Sequence, residues 1–94
     1  MDLETLRKEI DAVDREIIDL FAKRMDIAAD IAQYKKENGK AVFDPVREQE
    51  KLEVIVSLSR ADIKDHTTEL FRKLFELSRQ HQSSLLEKSS EVIE

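Results

Sequence analysis

The stretch Leu3–Asn38, LETLRKEIDAVDREIIDLFAKRMDIAADIAQYKKEN, decides the fold. Its apolar residues recur at Leu3, Leu6, Ile10, Val13, Ile17 and Leu20, and again at Ile27, Ile31 and Tyr34. Steps of three and four are the period of an α-helix carrying a seam of the coiled-coil kind. The slot at 24 belongs to the seam but holds Arg24. Acid-before-base pairs four residues apart, Glu4–Lys8, Asp11–Arg15 and Asp19–Lys23, support the outer face. Gly39 supplies the stop. A helix of about 36 residues is about 54 Å long.

Working outward, Gly39–Phe43 reads as a short loop. Asp44-Pro45 reads as an N-cap followed by proline at the first helical position, where its missing N–H costs nothing. A second helix of about 15 residues then runs to Ser59. Val54-Ile55-Val56 has the β-branching of a strand, but no second strand is present to pair with it. Asp62 or Asp65 caps a third helix to about Leu86, with a seam of Leu70/Phe71, Leu74/Phe75, Ser78, Gln82 and Leu85. Residues 1–86 are thus read as the domain, and Glu87–Glu94 as a tail or the start of a linker.

The chain has 94 residues, one glycine and one proline, too few turn formers for an all-β fold. The expected class is all-α, with one long and two shorter helices. A compact chain of this length has a radius near ~13 Å, so a rod of about 54 Å projects from it with its seam bare. The economical solution is a homodimer in which two long helices pack together and the short helices fold over them. The absence of cysteine excludes disulfides and thiolate metal sites and fits a reducing, cytoplasmic setting. A net charge of −5 offers no bulk basic field for nucleic acid or anionic lipid. Charged residues begin at position 2, and neither a signal peptide nor an apolar run of about 18 residues is read, so no membrane partner is expected.

Four polar residues fall on helical seams: Arg24, Glu48, Ser78 and Gln82. Lys35 lies eleven residues after Arg24, so it points the same way. Their Cα atoms are then about 16 Å apart, a gap that two long cationic side chains can close on one small anion. Each residue alone reads first as a boundary position whose stem packs while its head reaches water. As a buried, unpaired group they would cost several kcal/mol, and a ligand site is the other reading. Arg7 lies about 25 Å from Arg24 along the helix. It joins the same pocket only from an antiparallel partner chain. His66 and His81 read as ordinary helix residues, Met25 as core filler and Phe43 as packing over the loop or lining the pocket mouth. The paired carboxylates read as a solvated face.

In their order and spacing, three segments resemble the all-helical (AroQ-type) chorismate mutases. They are LRKEIDAVD at Leu6–Asp14, the run from KRMDIA at Lys23–Ala28 to Tyr34-Lys35, and DPVRE at Asp44–Glu48. The resemblance covers about residues 3–86 and extends to Ser78 and Gln82, four apart on the third helix. It implies an isomerase that carries out the Claisen rearrangement of chorismate to prephenate, the branch step to phenylalanine and tyrosine. It also implies an intertwined homodimer of three-helix protomers and no cofactor or metal. Carried over, Arg7 of the partner subunit and Arg24 hold the two substrate carboxylates. Lys35 contacts a carboxylate and the ether oxygen, and Gln82 donates to that oxygen. Glu48 and the backbone at Asp44 bind the ring hydroxyl, while Arg47 and Ser78 assist at a carboxylate. Two alternatives stand beside this reading: a lyase removing pyruvate from isochorismate on the same fold, and a non-catalytic helical dimerisation or regulatory module.

Overall fold

The computed structural model describes residues 1–92. Helix α1 spans Leu3–Glu37, α2 spans Pro45–Leu58, and α3 spans Lys64–Val92 after a 3-10 turn at Ala61–Ile63. The chain is all-α among the described residues, as the seams predict. Asp2 caps α1, its carboxylate accepting from the Thr5 N–H at 2.7 Å. That bond holds the Asp2 carboxyl below its usual range.

The other end of α1 is closed by the glycine. Gly39 has φ 64, the left-handed region where a Cβ is strained. Its N–H donates to the Lys36 carbonyl at 3.4 Å, and the Lys40 N–H donates to the Lys35 carbonyl at 2.8 Å. This is the Schellman arrangement, in which a left-handed residue past the cap satisfies the last carbonyls. Asp44 caps α2 as expected, accepting from the Arg47 N–H at 3.0 Å with Pro45 in the first turn.

Two local expectations are corrected. Neither Asp62 nor Asp65 caps α3: Asp62 lies in the 3-10 turn with its carboxylate on Arg60 Nε at 2.6 Å, and Asp65 is already in the first helical turn. The third helix also continues past Leu86, where the sequence reading ended it, to Val92. The last two residues of the expected tail, 93–94, lie outside the described residues.

Helix α3 packs against both α1 and α2, whereas among the described residues the backbones of α1 and α2 stay apart. The core is small: Ala28 and Ala32 of α1, Leu52 of α2 and Phe75 of α3. The two alanines let α3 approach α1 closely, and Phe71 meets Phe75 edge to face at 6.4 Å. Two polar residues, Ser78 and Gln82, are as deeply buried as the apolar ones.

The first half of α1 packs against nothing. Every residue from Met1 to Leu20 is exposed, including the seam residues Ile10 at 59%, Ile17 at 57% and Leu20 at 65%. The seam stays bare further along, at Ile27, Ile31 and Tyr34, because α3 covers the adjacent alanine stripe instead. The molecule measures 59 × 29 × 14 Å with a radius of gyration of 17.0 Å. A compact chain of this length would have about 13 Å.

Candidate active site

The short loop and α3 fold against the second half of α1, α2 packs on α3, and a cleft of ≈ 520 Å³ opens between them. Helix α1 contributes Arg24 and Lys35, and the α2 cap and first turns contribute Asp44, Arg47 and Glu48. Helix α3 contributes Ser78 and Gln82. Seven of the eight residues expected from the sequence thus border one space. The eighth, Arg7, does not border it and stands on the exposed half of α1.

Each buried polar group has a partner. Arg24 Nη1 donates to Ser78 Oγ at 2.7 Å, and its guanidinium lies 5.6 Å from the centre of the Phe75 ring. The Ser78 hydroxyl faces Met25 Sδ at 3.9 Å. Burial pulls the Arg24 pKa below the ordinary arginine range, and the Glu48 carboxylate opposes that shift. Arginine remains the cation of choice for such a half-buried site because its guanidinium is weakly hydrated and stays charged. Gln82 Nε2 donates to the Ala28 carbonyl at 2.7 Å, a buried bond joining α3 to α1. Lys35 Nζ donates to the Val42 carbonyl at 3.1 Å and so ties the loop to α1.

Seven further residues border the cleft, among them Lys51, Phe75 and Arg79. Arg79 donates to Glu48 through Nη1 and lies over the Phe43 ring at 4.8 Å. Lys51 was legible in principle, since it follows Arg47 by one helical step of four on the same face of α2. Phe75 was read as core, and it is both core and wall. Arg79 carries no periodic signal, because it sits off the apolar seam of α3.

Five cations, Arg24, Lys35, Arg47, Lys51 and Arg79, face two carboxylates, Asp44 and Glu48. Asp44 is engaged as the α2 cap and Glu48 by Arg79. Among the described residues, Arg24, Lys35, Arg47 and Lys51 form no ion pair. The cleft is therefore positive although the chain carries a net charge of −5. Cationic forks with neutral donors beside them suit a small carboxylated molecule through charge-assisted hydrogen bonds.

A three-helix chain with a positive cleft that draws on every helix is the arrangement to which the sequence pattern pointed. The chain belongs to the chorismate mutase type II family, which matches residues 6–83. The chain is 32% identical over 85 residues to a chorismate mutase of Methanocaldococcus jannaschii, covering 88% of this chain and 82% of that protein. It is 36% identical over 84 residues to a bifunctional chorismate mutase/prephenate dehydratase of Buchnera aphidicola from Acyrthosiphon pisum. The chain spans 22% of the length of that relative, and 12% of the T-protein of Haemophilus influenzae that it also matches. Its fold superposes on a chorismate mutase structure from Thermus thermophilus with a TM-score of 0.82 and 29% identity, covering 86% of this chain and 93% of that one. No helix among the described residues is long and apolar enough to cross a membrane.

Proposed function

We propose that the cleft binds chorismate and catalyses its Claisen rearrangement to prephenate, in the cytoplasmic synthesis of phenylalanine and tyrosine. The observation that carries this reading is the convergence of Arg24, Lys35, Arg47, Glu48, Ser78 and Gln82 from three separate helices on one positive cleft. Chorismate is a small dianion, and a pericyclic rearrangement requires neither a nucleophile nor a proton transfer. What accelerates it is restraint in the folded reactive conformer and donors placed where negative charge grows on the breaking ether oxygen.

The roles follow from the chemistry of each group. Arg24, oriented by Ser78, grips one carboxylate with its guanidinium fork, and Arg47 assists. Lys35 reaches a carboxylate and the ether oxygen. Gln82 holds the Ala28 carbonyl with one N–H and offers the other to the ether oxygen, since a carboxamide has two such donors. Glu48 accepts from the ring hydroxyl, and the backbone at Asp44 helps to fix it.

The working unit is an intertwined homodimer. Its support is the bare apolar seam of α1, running from Leu3 to Tyr34 and merging with the cleft at Ile27 and Ile31. Two copies packed antiparallel along that seam bury it and bring Arg7 of the partner subunit to the open side of the cleft. There it supplies the second carboxylate clamp. Incubating the purified protein with chorismate and with isochorismate, and identifying the products, tests the reading. Prephenate from chorismate is expected; salicylate plus pyruvate from isochorismate, without prephenate from chorismate, would replace it with the lyase.

A further inference from the structure

Arg79 links two parts of the cleft that the other residues leave separate. Its Nη1 donates to Glu48 Oε1 on α2. The same guanidinium lies over the Phe43 ring at 4.8 Å. Phe43 adjoins Val42, whose carbonyl accepts from Lys35. One side chain therefore anchors the cleft's Glu48 carboxylate and braces the loop that holds Lys35.

The electrostatics explain why Glu48 needs an anchor. It is the carboxylate whose charge acts on Arg24, and both residues border the same cleft. Arg24 is held in place by a neutral hydroxyl and forms no ion pair among the described residues. A Glu48 released from Arg79 would have Arg24 among the cations of the same cleft to turn to, and charge-assisted bonds are about twice as strong as the neutral one that Arg24 now makes. That pairing would cancel the cation a carboxylated ligand must meet. We infer that Arg79 is a positioning residue that holds Glu48 off Arg24, keeping Arg24 free for a ligand carboxylate and Glu48 Oε2 free for a ligand hydroxyl. Its ring contact with Phe43 supplies the rigidity, because a guanidinium stacked on an aromatic face is held in one plane.

This inference rests on the mutase reading for its kinetic readout but not for its structural one. The experiment is a double-mutant cycle between Arg79→Met and Glu48→Gln. In the wild-type background Arg79→Met raises KM for chorismate about tenfold or more, with a smaller change in kcat, as expected when ground-state binding is lost. In the Glu48→Gln background the same change costs less than about twofold, since a neutral amide has no pull on Arg24. Equal losses in both backgrounds, or no loss in the first, overturn the inference. Arg79→Lys keeps a cation beside Glu48 but loses the planar fork over Phe43, so KM rises by less than in Arg79→Met and stays below about tenfold. A tenfold rise there contradicts the inference even if Arg79→Met fails to fold.

The structural readout is the Arg24 side-chain Nε–H resonance in the free protein. It shifts on Arg79→Met and returns when Glu48→Gln is added. If wild-type protein leaves chorismate unchanged, the mutase reading fails while this resonance still decides the role of Arg79. A resonance indifferent to Arg79→Met overturns the inference even in a protein that turns chorismate over.

Discussion

Gln82 donates its side-chain N–H to the Ala28 carbonyl at 2.7 Å across the α1–α3 interface, and both residues are buried. A carbonyl only accepts, so this bond fixes which end of the amide meets α1. A side chain that must donate at this place has a pH consequence when replaced by one that donates only when protonated.

Gln82→Glu places a buried carboxyl against the Ala28 carbonyl. Burial and the acceptor both favour the protonated form, so its folded-state pKa is raised. The sign follows from linkage: its contribution to stability is fully present below the unfolded glutamate value of about 4.3 and is lost as pH rises through the raised folded value. A protonated carboxyl has one O–H, which serves the Ala28 carbonyl in the free protein and turns to the ether oxygen when chorismate is bound, so the variant is expected to melt at a higher temperature, and to convert chorismate faster, on acidification from neutral toward mildly acid pH. A pH–rate profile parallel to wild type would count against Gln82 as the ether-oxygen donor.

Lys35→Ala removes both the proposed ether-oxygen donor and the tie to Val42. Loss of one preorganised donor of this kind costs about 100-fold or more in kcat. Circular dichroism should show the helices intact, because the cap at Gly39 is made by backbone groups. Wild-type turnover in this variant would remove Lys35 from the mechanism.

Ile17→Glu puts a charge in the middle of the bare seam. Ile17 is 57% exposed in the single chain, so the substitution disturbs no contact within the protomer. If the seam is the dimer interface, the variant becomes a monomer by light scattering and loses stability and activity together. A fully active monomer would show that Arg7 of the partner subunit is not needed.

Gly39→Ala tests the α1 terminus by itself. An added Cβ meets nothing within 4 Å, so the cost is the left-handed backbone alone. That cost is about 1–2 kcal/mol. Denaturant titration should find a loss of this size, with activity changed only a few-fold. A larger loss would mean that the loop contributes more than its turn.

Much of this was legible in the sequence. The capping signals at Asp44-Pro45 and Gly39 are local, so the chain reads them without tertiary help, and both sit where expected. Ser78 and Gln82 stood out because polar residues on an apolar seam are conspicuous, and both prove buried and hydrogen-bonded between helices. The face of α1 that α3 covers was harder to see. Ala28 and Ala32 are small and weakly patterned, and their value lies in allowing close approach rather than in their own hydrophobicity. Arg79 was invisible for a different reason. A cation beside a seam looks like solvated surface until the fold supplies Glu48 and Phe43 as its neighbours. The cap of α3 was misread because a 3-10 turn at Ala61–Ile63 takes up the residues that looked like its start.

The most direct test of the central claim is to follow chorismate absorbance in the presence of the purified protein, with product identification and a mass measurement on the same sample. The account predicts loss of chorismate with formation of prephenate by a species of twice the 11.0 kDa chain mass. A folded protein that leaves chorismate unchanged would contradict it.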